Sequence, residues 1–141
     1  MKILQWALVI LLAGFLVFMG VQKFGGPNPV FSYIAATTGL GLFEPWVRMV
    51  TGVMEIMAAV LLLVPRTRIL GGLLSIAVIG GAIAFHLSPF LGINAPIAFD
   101  ADGEYVKSSA LFFMAVGFFA ISLVLMYIQY RGKKPTQKPQ K

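Results

Sequence analysis

Residues 46–65, WVRMVTGVMEIMAAVLLLVP, form an apolar run that carries a single carboxylate, Glu55, near its middle. A helix of about 20 apolar residues spans the ~30 Å hydrocarbon core of a bilayer. A charged side chain at that depth costs at least about 2.5 kcal/mol, so such residues are rare and mark paired or functional positions. Three more runs of the same kind, at 3–21, 69–87 and 109–128, predict four transmembrane helices in all. The expected fold is all-α: an integral membrane four-helix bundle over residues 1–130, followed by a basic, disordered tail at 131–141.

Composition supports this reading. The chain has 141 residues, 59% of them hydrophobic, and a mean hydropathy of +0.90, against roughly 45–50% apolar content for soluble domains. Four spans with their connectors use nearly the whole length, which leaves no room for a separate water-soluble catalytic domain. The first span has only Lys2 ahead of it and no A-x-A site before Lys23, so it is expected to stay as a helix and not to be cleaved as a signal peptide. There are no cysteines, which excludes thiol nucleophiles, disulfide relays and Cys-ligated zinc or iron–sulfur clusters in this chain.

The net charge of +6 is unevenly spread. Lys2, Arg66, Arg68, Arg131, Lys133, Lys134, Lys138 and Lys141 fall on one side of a chain that crosses four times. Lys23, Arg48 and Lys107 fall on the other, with Glu44 and the acidic cluster Asp100, Asp102 and Glu104. Short basic loops stay in the cytoplasm, so both termini are expected inside. The bias is a topology signal with attraction to anionic lipid; it does not point to nucleic acid.

Between spans, Gly25-Gly26-Pro27 breaks the chain, and Asn28-Pro29 is a helix start with Asn as cap and Pro at the first helical position. A short interfacial helix is expected there, in the first outer loop, ending at Gly39. Residues 88–99 are apolar but interrupted by Pro89, Gly92 and Pro96, suiting a loop tucked into the headgroups, and 100–107 suit a solvated loop. Trp6, Tyr127 and Tyr130 are expected at the inner interface, Trp46 and Tyr105 at the outer one. Gly71-x-x-x-Ser75, Ala77-x-x-x-Gly81 and Gly80-x-x-x-Ala84 allow close helix approach along the third span. The phenylalanines of the fourth span show no cofactor pattern.

The polar residues form one constellation. Arg48, Gly52 and Glu55 share a stripe of the second span, and Gly52 leaves space there for a helix, a water or a ligand. Lys23 closes the first span and His86 lies near the end of the third, so Lys23, Arg48, Glu55 and His86 are expected to converge in the outer half. Gln22 and Asn94 are supporting hydrogen-bond groups. Each has a plainer reading: Lys23 as a snorkelling anchor, Arg48 as a headgroup contact, His86 as a donor to a loop carbonyl. Glu55 must be either protonated or paired with Arg48, Lys23 or His86, and an ion pair that only fixes helix register stands beside a ligand site. The Asp100–Glu104 cluster lacks calcium-loop spacing, a lone histidine is poor evidence for zinc, and no metal site or catalytic residue is assigned.

With Gly20-x-x-Lys23-Phe24, Gly52-Val53-Met54-Glu55, Pro65-Arg66-Thr67-Arg68 and Ala84-Phe85-His86 in this order, the chain resembles the DoxX family of small four-helix bacterial membrane proteins. The resemblance implies a multi-pass protein of the bacterial inner membrane with a link to quinone-dependent thiosulfate oxidation. The leading expectation is an accessory subunit without catalytic activity of its own, binding a lipophilic ligand or a membrane partner through the polar cluster. In it Glu55 and Arg48 form the buried pair, and Lys23 and His86 offer donors. The alternatives are a quinone-linked oxidoreductase subunit with the quinone between Gly52 and His86, and a small transporter.

Overall fold

The helix starts and stops follow from local chemistry. In the computed structural model, which describes residues 2–132, α1 runs over Lys2–Gln22, α2 over Pro29–Thr38, α3 over Trp46–Leu63, α4 over Arg68–His86 and α5 over Ala110–Gly132. A single 3-10 turn, Gly41–Phe43, leads into α3. The Asn28 side chain accepts from the Val30 N–H at 3.1 Å, Pro29 opens α2, and Gly39 ends it in the left-handed region at φ 71°. Replacing Asn28 with alanine is expected to cost about 1 kcal/mol, read as faster amide exchange in the first turn of α2.

Four helices are long and apolar enough to cross a membrane, which marks this as a membrane protein. Their outer surfaces bear this out: Ile10 and Phe18 on α1, Val50 and Val60 on α3, Leu73 on α4 and Phe113 on α5 are all exposed. Water would make that exterior an aggregation surface; hydrocarbon makes it an ordinary one.

Helix α3 packs on α1 and on α4, and α5 packs on α4 and on α1. Val9, Leu12 and Leu16 of α1, Ala58, Ala59 and Leu62 of α3, Ile79 of α4 and Leu125 of α5 share the core. The crossing of α3 and α4 is closest at Gly71, where a Cβ would stand 2.5 Å from the Leu62 nitrogen and 3.0 Å from the Ala58 carbonyl oxygen. Buried hydroxyls are satisfied within their own helices, Ser75 on the Gly71 carbonyl at 2.7 Å and Ser122 on the Phe118 carbonyl at 2.9 Å, as burial demands. At the short turn between α3 and α4, Thr67 Oγ1 donates to the Leu61 carbonyl at 3.0 Å and Arg68 Nε to the Leu62 carbonyl at 2.9 Å. These bonds close carbonyls that the end of α3 leaves open.

Two expectations need correction. The loop predicted over 88–107 contains an antiparallel hairpin of two strands, β1 (Ala95–Phe99) and β2 (Tyr105–Ser108), with a register shift between Pro96 and Ala98. Its turn is built by Asp100, whose Oδ1 accepts the N–H groups of Asp102 and Glu104 at 2.9 and 2.8 Å, with Gly103 at φ 81°. The acidic cluster is therefore a turn device. A lone hairpin is marginal, and this one is held by aromatic contacts. Tyr33 of α2 meets the Tyr105 ring edge-on at 5.3 Å, and its hydroxyl accepts from Lys107 Nζ at 3.0 Å. Accordingly α2 packs on β1, with Ile34, Leu91 and Ala95 in a second small core.

The second correction concerns the tail expected from residue 131. Helix α5 continues through Gly132, and the Arg131 guanidinium lies 5.0 Å above the Tyr127 ring. The rest of that expectation, including Lys133, Lys134, Lys138 and Lys141, lies outside the described residues.

Candidate functional site

The site forms where α1 and α3 cross closely at Gly20 and Gly52. A Cβ on Gly52 would stand 3.0 Å from Lys23 Cβ and 3.1 Å from the Gly20 carbonyl oxygen, and one on Gly20 would stand 3.0 Å from the Gly52 carbonyl oxygen. Backbones this close bring the end of α1 against the middle of α3. Lys23, one residue beyond α1, turns back into the interior and is only 5% exposed. Its Nζ donates to Glu55 Oε2 at 2.7 Å, to Glu55 Oε1 at 3.0 Å and to the Met19 carbonyl at 3.1 Å. An ammonium has three donors, so all of them are engaged within the protein. Glu55 is likewise buried, at 7% exposed.

Lys23 is thus neither a headgroup anchor nor a free donor, and the partner of Glu55 is Lys23, not Arg48. Arg48 Nε instead donates to Glu44 Oε1 at 2.6 Å, and Nη1 donates to the Lys23 carbonyl. The reason is geometric: Arg48 and Glu55 lie two turns apart on one helix, while Glu44 lies one turn from Arg48. The other Glu44 oxygen, Oε2, accepts the Asn28 N–H at 3.3 Å. Arg48 and Glu44 therefore tie the chain leaving α1, and the cap of α2, onto the start of α3.

His86 ends α4 and is 5% exposed. Its Nδ1 lies 3.0 Å from the Gly92 carbonyl oxygen. A carbonyl only accepts, so Nδ1 carries the proton, and Nε2 of the neutral ring is an acceptor. The loop-carbonyl reading of His86 is the one realised, and the Phe112 ring meets the imidazole edge-on at 5.8 Å.

A cavity of about 350 Å³ connects these groups. Lys23, Glu55 and His86 are in its wall together with Gln22, Thr51 and Met54, while Val30, Phe31 and Ile34 of α2 roof it. On the α4 side Ala77 and Gly81 line it with little covering them, and a Cβ at Gly81 would meet no atom within 4 Å. Among the expected site residues, Arg48, Gly52 and Asn94 are not brought to this wall. Asn94 is exposed, and the face of Gly52 is filled by α1 and by Phe24, a ring atom of which would stand 3.0 Å from a Cβ there. Gly52 therefore takes no part in the cavity wall. Sequence reasoning passed over Glu44, although its spacing to Arg48 is that of a helical ion pair, and over Thr51 and Met54, which carry no distinctive signal.

A family model for a domain of unknown function (DUF8561) matches residues 12–99, well over half of the chain. This corrects the resemblance to the DoxX family: the matching model is a different one, and the quinone link drawn from that resemblance loses its basis. No curated protein and no solved structure matches the chain.

Proposed function

We propose that this chain, which belongs to the DUF8561 family, is a binding protein for a small lipophilic molecule with a hydroxyl or N–H donor, held in the cavity beside Lys23, Glu55 and His86. The observation that carries this reading is the cavity itself. Its volume of about 350 Å³ falls in the lower part of the roughly 300–1,000 Å³ range of small-molecule sites, and its wall combines apolar side chains with a few convergent polar groups. The donors of Lys23 are engaged, while lone pairs of Glu55, Nε2 of His86 and the Thr51 hydroxyl oxygen, whose proton goes to the Val47 carbonyl at 2.8 Å, are acceptors with unused capacity; the Gln22 amide in the same wall can both donate and accept. The ion pair fixes the position of α1 against α3 and keeps the wall in place.

In this reading the four long helices form a bundle. The short turn, with Arg66 and Arg68, and both chain termini lie on the cytoplasmic side, following the distribution of basic residues. The roof of α2 and the hairpin faces the opposite side.

Filling the cavity tests the proposal. Gly81→Leu has open space for its side chain and replaces a poor helix former with a good one, so stability should hold or rise. Mass spectrometry of gently solubilised protein should find a lipophilic small molecule on the native chain and at least a tenfold lower occupancy on the variant. Equal occupancy in both, or no bound small molecule in the native chain, would overturn the reading.

A further inference from the structure

The opposite end of the helices carries a second polar arrangement that the cavity does not involve. Arg68, the first residue of α4, is 6% exposed, and Gln129, in the last turns of α5, is 7% exposed. Among the described residues, Arg68 Nη2 and Gln129 Nε2 are the buried side-chain nitrogens without a hydrogen-bond partner. Both are donors. Leaving a buried donor unmade costs about 1–3 kcal/mol, more for a charged group, so each such atom needs an acceptor from somewhere.

The two lie at one level. Gly72 packs against Met126 across the α4–α5 contact, and Arg68 is one turn before Gly72 while Gln129 is one turn beyond Met126. The guanidinium is held by Nε donating to the Leu62 carbonyl at 2.9 Å and by its central carbon lying over the Trp6 ring, 4.2 Å from the centroid. Its charge has no side-chain counter-ion at this end. The acidic residues of the chain are Glu44, Glu55, Asp100, Asp102 and Glu104; Glu55 pairs with Lys23, Glu44 with Arg48, and the other three form the hairpin turn. Thr67 makes no side-chain cap to α4, so the positive end of the helix dipole adds to the guanidinium field.

We propose that Arg68 and Gln129 form a binding site for a phosphate-class oxyanion at the turn end of the helices. The anion oxygens accept from Arg68 Nη2 and Gln129 Nε2, with Trp6 and the Leu62 carbonyl holding the guanidinium for them. Two sources carry that chemistry: the headgroup of an anionic phospholipid, which lies at the depth where apolar helices end, and free phosphate.

Thermal unfolding in a phosphate-free maltoside detergent, with native mass spectrometry alongside, separates them. Phosphatidylglycerol should bind one equivalent tightly and raise the midpoint, whereas diacylglycerol, which lacks the phosphate, should do neither. Midpoint protection by inorganic phosphate alone would assign the site to the free anion. Gln129→Leu removes one donor and leaves an apolar side chain of similar size, so the fold should persist while affinity drops about tenfold, the loss expected for one hydrogen bond to a charged acceptor. Arg68→Lys keeps the charge but not the fork and should weaken binding at least as much. The proposal is overturned if neither phosphatidylglycerol nor inorganic phosphate binds the native protein better than diacylglycerol or chloride does. Gln129→Leu binding like the native chain would overturn it equally.

Discussion

Lys23→Met is expected to destabilise the solubilised protein by about 3–5 kcal/mol, the usual cost of removing one partner from a buried ion pair. Glu55 would keep its place in the middle of α3, with no other cation among the described residues in contact. In a protein of this size that corresponds to a fall of roughly 10 °C or more in the thermal midpoint. Glu55→Leu should cost less. The stranded ammonium retains the Met19 carbonyl, and it sits just past the end of α1, from where it can extend toward the loops. The double variant Lys23→Met/Glu55→Leu should recover most of the loss, because an apolar pair of similar volume replaces a buried ion pair at little net cost. A double variant as unstable as the worse single one would show that the charges do more than neutralise each other.

Gly71→Leu should have the largest effect of any substitution on α4. A Cβ at Gly71 would stand 2.5 Å from the Leu62 nitrogen and 2.8 Å from the Leu61 carbonyl carbon. These are backbone atoms, so no rotamer change relieves the clash and the two helix axes must separate. Overpacking that side chains can absorb costs about 1–3 kcal/mol; here the loss should exceed that range and abolish a monodisperse peak in size-exclusion chromatography. Gly81→Leu is the matched control, made on the same helix with the same residues exchanged. Because it meets open space, it should elute like the native protein. Similar behaviour of the two variants would mean that the α3–α4 crossing is looser than the close approach at Gly71 implies.

Features fixed by neighbouring residues were legible in the sequence. The Asn28-Pro29 start and Gly39 stop of α2, and the prolines flanking α3, act through the local backbone, and the apolar runs mark the four long helices. What depended on rotation about helix axes was not legible. The expected stripe of Arg48, Gly52 and Glu55 exists, but α1 covers Gly52, Lys23 claims Glu55, and Arg48 turns toward Glu44. Only the packing of α1 decides among the three cations that could have met Glu55. The hairpin was missed because Pro96 and the apolar residues before it hide the alternation of β1, although Asp102-Gly103 is a turn signal. At the turn end, Arg68 reads from the sequence as a topology charge, and Gln129, a polar residue near the end of an apolar run, carries no local signal of burial.

The ion pair between α1 and α3 also bears on how the chain reaches the bilayer. Lys23 and Glu55 are separated by 32 positions, and both precede α4, so both charges are in the chain before that helix is added. Presented singly, α3 would carry a bare carboxylate through hydrocarbon, with a penalty of about 2.5–3.5 kcal/mol. Presented beside α1, its charge is already cancelled and its Gly52 face already covered. The first two long segments are therefore better suited to enter hydrocarbon as a pair than one at a time, because each supplies the charge that the other must neutralise.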